Sequence, residues 1–288
     1  VRGDSVTLTL PNIEQIPAAR TAIASVAPDV VFENLAGGRL KVVLSEAVIR
    51  DRQRAAVNQS IEIIRRRIDE FGTSEASIQR QGKDRIIIEL PGIDNPQRVK
   101  EIIGRTAKMN FHLLANGYSG PVTVGQAVPA GSMEVSAADG SGGVYIVQRR
   151  IAVPGEMLVD SQPSFQLGQP VVSFRFNTQG GRRFGALTSS NIGRNLAIVL
   201  DGQVISAPNI RSAIVGGQGI IEGGFSLQGA QDLSLLLRAG ALPAPLTILE
   251  ERTVGPGLGA DSIKAGTFAS ILGFFLVAVF MLITYGLF

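Results

Sequence analysis

Hydrophobic positions recur along this chain with two periods, and its longest uninterrupted apolar run lies at the end. In residues 5–10, Val6, Leu8 and Leu10 alternate with Ser5, Thr7 and Thr9, which predicts a half-buried strand. Ile13, Ile16, Ala19 and Ile23 then share one helical face. Residues 29–35 and 39–44 read as two strands joined by Ala36–Gly37–Gly38, a hairpin signal. Ser45 caps a long helix in which Val57, Ile61, Ile64, Ile68 and Phe71 step by three and four, and Gly72 ends it. Short strands at 77–81 and 85–90 surround Gly82–Lys83–Asp84. Asn95 and Pro96 open a further helix whose Val99, Ile102 and Ile103 face inward, and residues 108–114 form another strand. From Arg39 the order is β-α-β-β-α-β, the split arrangement called ferredoxin-like.

Helical periodicity nearly vanishes between residues 115 and 219. Gly, Ser and Pro punctuate predicted strands at 143–153, 157–165 and 171–176, with a short helix at 182–189. Residues 195–200 and 203–206 flank Asp201–Gly202, the strongest hairpin signal in the chain. A strand at 219–225, a helix at 227–239 capped by Ser226 and closed by Gly240, and a strand at 246–252 would then return as β-α-β. The expected fold class is α+β: a ferredoxin-like base carrying an inserted β-rich head, followed by a transmembrane helix. The expected boundaries are 1–38 for an N-terminal βαβ segment and 39–115 for the first part of the base. The head takes 116–218, the returning β-α-β with its Gly/Pro hinge 219–259, and the membrane helix 260–288.

No charged side chain occurs from Ala265 to Phe288. As a helix this run is roughly 36 Å long, against a hydrocarbon core of about 30 Å. Lipid leaves no partner for an unpaired backbone group, so a helix is the form a single span takes. The chain begins on Val1 and stops inside the apolar run, and it reads as a piece of a longer protein cut at both ends.

Composition narrows the function. A balance of 27 basic against 24 acidic residues, net +3, is too even for a nucleic-acid or polybasic membrane surface. Cys is absent, which removes disulfides and thiolate chemistry. His112 is the single histidine, expected on the polar face of its strand; no catalytic or zinc set can be assembled around it. Arg65–Arg66–Arg67 reads as a solvated charge run. Gly255 to Ala260 superficially fits a dinucleotide fingerprint, but the helix that follows is apolar and carries no acid at the required distance. No catalytic, cofactor-binding or metal residue is assigned, and no cofactor is expected.

Three stretches carry a family resemblance: LSLLLRAGALPAPLTILEERTVGPGLG at 233–259, IEIIRRRIDEFG at 61–72, and RQGKDRIIIELPGI at 80–93. Together with Thr188 and Asn191–Ile192–Gly193 they resemble the SecD subunits of the bacterial Sec protein translocase, and the likeness runs along essentially the whole chain. It implies a first extracytoplasmic domain with residues 1–264 outside the bacterial inner membrane, a mobile head, and the start of a second membrane helix. It also implies partnership with SecF, the SecYEG channel and YajC, and assistance of preprotein export by the proton-motive force. The family's proton-relay carboxylate belongs to a later helix that these residues do not include.

On that reading the head holds unfolded preprotein through apolar contact, with Phe165, Phe174, Phe176, Ile210, Ile214 and Val215 as candidates and Val172, Phe184 and Leu187 as neighbours. Gly117, Gly120, Gly216 and Gly217 are candidate head hinges, and Gly255, Gly257 and Gly259 a hinge before the span. The lipid bilayer is a partner and nucleic acid is not. The alternatives are a porter-like domain of a multidrug efflux transporter, which requires a small-molecule pocket, and a membrane-anchored hydrolase, which requires an acid/base set. A ferredoxin-like RNA binder would need a basic, aromatic-studded sheet.

Overall fold

The structure is a computed structural model that describes residues 5–72, 75–93, 95–252 and 257–286. The chain divides into two units, Val1–Leu246 and Thr247–Phe288. The first opens with β1 (Ser5–Thr9), α1 (Ile16–Val26), β2 (Val30–Leu35) and β3 (Arg39–Leu44). The strands pair antiparallel in the order β1-β3-β2. Arg20 fixes α1 to this sheet: its guanidinium lies over the Phe32 ring and donates to the Phe32 carbonyl at 3.3 Å.

Ser45 accepts from the Val48 amide and starts α2 (Glu46–Asp69). Ile63, Ile64 and Ile68 of α2 pack against Ile78, Ile86 and Ile88 of the hairpin β4 (Ser77–Gln81) and β5 (Arg85–Glu89), together with Leu242 and Leu246. Asn95 accepts from Arg98 N at 3.1 Å and starts α3 (Pro96–Gly104).

A six-stranded sheet follows in the order β8-β7-β13-β12-β6-β9, built from β6 (Met109–Leu113), β7 (Ser132–Ala137), β8 (Val144–Gln148), β9 (Val153–Pro154), β12 (Leu196–Leu200) and β13 (Gln203–Ser206). β7 and β13 are parallel and the other pairs antiparallel. Beyond β6 the chain bridges back to β8: Leu114 pairs with Val147, and Ala115 N donates to Ile146 O at 2.8 Å. The sheet therefore curls around an inner cluster of Leu114, Val135, Val147, Ala197, Val199 and Val204. β12 is buried along its whole length, which accounts for its unbroken apolar run Leu-Ala-Ile-Val-Leu.

The outer face of that sheet meets a second, antiparallel one, β10-β11-β14, made of β10 (Leu158–Gln166), β11 (Gln169–Phe176) and β14 (Gln218–Ile221). Phe111 of the first sheet joins Phe174 and Phe176 of the second and Phe184 of α4 (Thr178–Ser190), with ring centroids 5.2–6.1 Å apart. α5 (Leu227–Ala239), capped by Ser226, closes this core with Ala230, Leu233, Leu236 and Leu237.

Several expectations need correcting. The βαββαβ order is present, but β3, the β4–β5 hairpin and β6 lie in three separate sheets, so no single ferredoxin-like sheet forms. β6 is covered on both faces and fits between β12 and β9, whereas β4–β5 has one apolar face, which packs on α2. β14 and α5 do not return to complete a base; they pack on β10 and β11. Residues 246–252 form no strand. They follow Pro243 and Pro245, and Ile248 and Leu249 stand exposed with no ladder partner.

In the second unit α6 (Gly257–Tyr285) contains the apolar stretch Ile263–Tyr285, 23 residues with mean hydropathy 2.4. At about 1.5 Å per residue it is long enough to cross a bilayer. Gly257 and Gly259, expected in a flexible exit, lie within this helix; Gly255 lies outside the described residues.

Candidate functional site

A concavity lies where the curled sheet meets α4. Asn177 accepts from Gly180 N at 2.7 Å and starts the helix. Gly181 and Gly185 give it a flat side. A Cβ on Gly181 would sit 3.3 Å from Gly217 Cα, and one on Gly185 would sit 3.3 Å from Val215 Cα. Thr188 completes the contact by accepting from Ile214 N at 2.9 Å. With the 214–217 loop held on one side, α4 turns Arg183, Leu187 and Asn191 toward the end of β8. Leu113, Gln148, Arg150 and Ala152 complete a cleft of about 320 Å³. Gln148 and Arg150 also line an adjoining hollow of about 250 Å³, with Ala115, Asn116 and residues 129–132, and the two side by side make a trough.

The trough has an apolar floor and hydrogen-bonding rims. Arg183 straps its own wall, donating from Nε to Ala152 O at 2.7 Å and from Nη2 to Ile151 O at 3.2 Å. Arg194 bridges Asn191 Oδ1 and Leu114 O at 2.8 and 2.9 Å. Arg150 is exposed above the trough. His112 lies beneath, at 3% exposure, with Nδ1 2.8 Å from Gln148 O. A carbonyl only accepts, so Nδ1 carries the proton and the ring anchors Gln148. Its expected place on a polar surface is corrected: the curl of the sheet buries both faces of β6.

Among the described residues no group of three His, Asp or Glu side chains is placed to hold a metal ion. The trough can bind by hydrogen bonding and apolar contact.

The six apolar candidates do not form one surface. Phe174, Phe176 and Ile210 are interior, and their expected exposure is corrected; alternation puts residues on one face without saying whether that face is a core or a groove. Ile214 is half-buried against the same core. Val215 is 80% exposed, close to the Arg175–Gln218 end of β11, while Phe165 is 64% exposed and pairs with Pro170 at the other end. Five residues of strand separate the two ends, about 17 Å. Gly117 and Gly120 stand in open loops, as does Gly216, but Gly217 is buried against Gly181. The trough escaped the sequence reading because Gln148, Arg150 and Arg183 carry no periodic signal. The pairs Arg149–Arg150 and Arg182–Arg183 were its available trace.

A second constellation joins α2 and α3 to α5. Arg67 is 0% exposed, so it is not part of a solvated run; only Arg65 and Arg66 are. Its guanidinium donates to the carbonyls of Ile102 at 2.7 Å, Ile103 at 3.2 Å, Arg105, Thr106 at 3.3 Å and Gly240 at 3.1 Å. These groups lie at the C-terminal ends of α3 and α5, where carbonyls lack helical partners and the dipoles favour a cation. Burial lowers the Arg67 pKa to about 10, with the Asp201 carboxylate acting in the opposite sense, so it is charged at neutral pH. Leu242 N donates to Thr106 O at 2.8 Å beside it, and Asp201 accepts from the Ala107 and Lys108 amides at 3.0 and 2.8 Å. Arg98–Asp232 at 2.6 Å and Arg238–Glu70 at 3.0 Å add ion pairs across the same junction.

These features define a class: an α+β module with a polar-rimmed trough, in a chain that also carries an apolar helix of membrane-spanning length. Comparison with known proteins supplies the family. Residues 57–116 match the N-terminal part of the P1 domain of the protein translocase subunit SecDF, and residues 132–244 match the SecDF P1 head subdomain. The chain is 42% identical over 289 residues to the protein translocase subunit SecD of Rickettsia conorii, covering 99% of this chain and 56% of that protein. It is 49% identical over 246 residues to that of Rhodobacter capsulatus, covering 85% and 44%. A solved SecDF structure, described as a membrane component that enhances protein export, aligns with TM-score 0.57 and 32% identity over 70% of this chain and 94% of its own. A second, SecDF in a super-membrane-facing form, aligns with TM-score 0.59 and 33% identity over 79% and 32%. The chain belongs to the SecD family of protein translocase subunits. It spans about half the length of the curated relatives it matches.

Proposed function

We propose that this chain is the extracytoplasmic, polypeptide-handling part of a Sec translocase accessory subunit, with its apolar helix in the bacterial inner membrane. The observation that carries the reading is the match of residues 132–244 to the SecDF P1 head, which supplies Gln148, Arg150, Ala152, Arg183, Leu187 and Asn191 of the trough. An extended chain fits such a trough: its backbone groups meet Gln148, Arg150 and Asn191, and its side chains meet Leu113, Ala152 and Leu187. A surface that must accept many sequences works through such unspecific contacts. On this reading the partners are SecF, the SecYEG channel, YajC and unfolded preprotein, and the role is binding and relay rather than catalysis. The proton-motive force would act through membrane helices outside these residues.

Coupling of head movement to the membrane is part of the proposal. The chain passes from α3 to β6 at residues 105–108 and leaves α5 at 240–242. The Arg67 cluster braces both crossings, so bending would fall instead to the open loops at Gly117, Gly120 and Gly216. The test is export in cells that carry Ala130→Trp as their sole copy. Ala130 is exposed on the trough wall, so the indole fills the trough without disturbing the core. The expected result is slowed maturation of a secretory protein at an unchanged level of the subunit; unchanged export would overturn the reading.

A further inference from the structure

The tip of the β10–β11 hairpin is built against its own backbone preference. Gln166 pairs with Gln169, leaving Leu167 and Gly168 as a two-residue loop with φ of 49° and 78°. Positive φ at both central positions is the I′ pattern, which favours Asn or Asp followed by Gly. The β12–β13 turn obeys that rule, with Asp201 and Gly202 at 50° and 82°. At the β10–β11 tip a leucine takes the strained position, and it is 97% exposed. Phe165 stands exposed two residues before it. A leucine held in a left-handed turn and bare to solvent contributes nothing to the core, so its side chain is explained by what it meets outside.

Three observations choose the occupant. From Ser161 to Phe174 there is no charged residue, so the tip and both its stems enter a less polar medium without desolvating an ion. Second, Pro163 lies on edge strand β10, and Pro170 lies on β11 beyond the part paired with β14. Both open edges beside the tip thus lack an amide where an added strand would need one, which argues against capture of extended polypeptide. Third, the tip is narrow and convex. Two large side chains present far less than the roughly 800 Å² per partner of a stable protein interface, whereas a lipid surface requires no matching shape. The same chain carries Ile263–Tyr285, which would keep a bilayer at high effective concentration.

We infer that Phe165 and Leu167 form a lipid-contacting finger that dips into the headgroup–acyl boundary of a membrane. This is independent of polypeptide binding in the trough and stands or falls separately.

The chain has no native cysteine, so single thiols label cleanly. The full chain carrying Leu167→Cys, with an environment-sensitive fluorophore attached, is reconstituted into phosphatidylethanolamine–phosphatidylglycerol vesicles through its apolar helix. Asp84→Cys and Ser141→Cys, in two other exposed turns, are the controls. Contact about 5–10 Å into the boundary predicts blue-shifted emission and quenching by spin-labelled lipid about threefold stronger at 167 than at either control. Equal quenching at all three positions overturns the inference. So does a blue shift at 167 that appears only when a reduced, unfolded polypeptide is added, because the finger would then be a protein contact. A second variant separates lipid contact from turn geometry. Leu167→Asn should raise the melting temperature by about 2–4 °C through relief of the turn, and it should weaken lipid quenching of a fluorophore at Phe165→Cys at least about threefold. A stabilised protein whose label at 165 is quenched as before would refute the finger.

Discussion

Removing the Arg67 guanidinium tests the joint between α2, α3 and α5. Five carbonyls now share its donors, four of them at 2.7–3.3 Å. An uncompensated buried acceptor costs about 1–3 kcal/mol, although water entering the vacated space would recover part of that. Removing the charge also returns its desolvation cost, and Nε has no partner in the folded state. With these offsets Arg67→Ala should lose about 3–5 kcal/mol, the range for breaking a buried charged network by taking out one member. Arg67→Met keeps the stem and loses the donors, so it separates packing from hydrogen bonding and should lose nearly as much. Arg67→Lys, with a single ammonium that cannot span two helix ends, should fall between at about 2 kcal/mol. Equilibrium unfolding in urea measures all three at neutral pH, where the native group is charged. A loss below about 1 kcal/mol in Arg67→Ala, or a Met variant as stable as the parent, would refute the dipole-bracing account.

Further predictions follow from close approaches and shared acceptors. Gly217→Ala would place a Cβ 2.8 Å from Gly181 Cα at φ 65°, and should cost about 2–4 kcal/mol by loosening the 214–217 loop from α4, seen as faster amide exchange there. Asp201→Ala strips the Ala107 and Lys108 amides of their acceptor and should lower stability by about 1–3 kcal/mol, while Asp201→Asn, which still accepts and suits the turn, should lose less in the same unfolding assay. Phe174→Ala removes the ring that touches Phe111, Phe176 and Phe184 and should cost about 3–5 kcal/mol by thermal unfolding, as a core residue does; a silent substitution would mean the ring is not interior.

Local chemistry was the legible part of this sequence. Ser45, Asn95 and Ser226 cap the helices they precede, Asp201–Gly202 turns its hairpin, and the apolar run forms a long helix. Each depends on residues close in sequence. Partner choice was not legible, because the same alternation in β6 serves any sheet, and its burial on both faces arises only when Leu114 closes back on Val147. The 132–137 strand went unseen because Ser-Met-Glu-Val-Ser-Ala alternates weakly. Arg67 is more instructive. It lies three residues after Ile64 and four before Phe71, on the stripe that carries the apolar positions, so helical spacing already placed it inside. Its charge, and two arginine neighbours that do face water, disguised it. The candidate groove failed for a related reason. Phe174 and Phe176 share a face as alternation requires, but a face that meets α4 and α5 is a core, and those helices come from distant sequence.

The central claim is that the trough between β8 and α4 meets polypeptide in transit. It is tested most directly by a photoreactive amino acid at position 150 during export of a secretory chain stalled in the translocase, with position 62 on the exposed side of α2 as the reference. The account predicts an adduct between the subunit and the stalled chain at 150 and none at 62. Absence of the adduct at 150, or equal adducts at both positions, would contradict it.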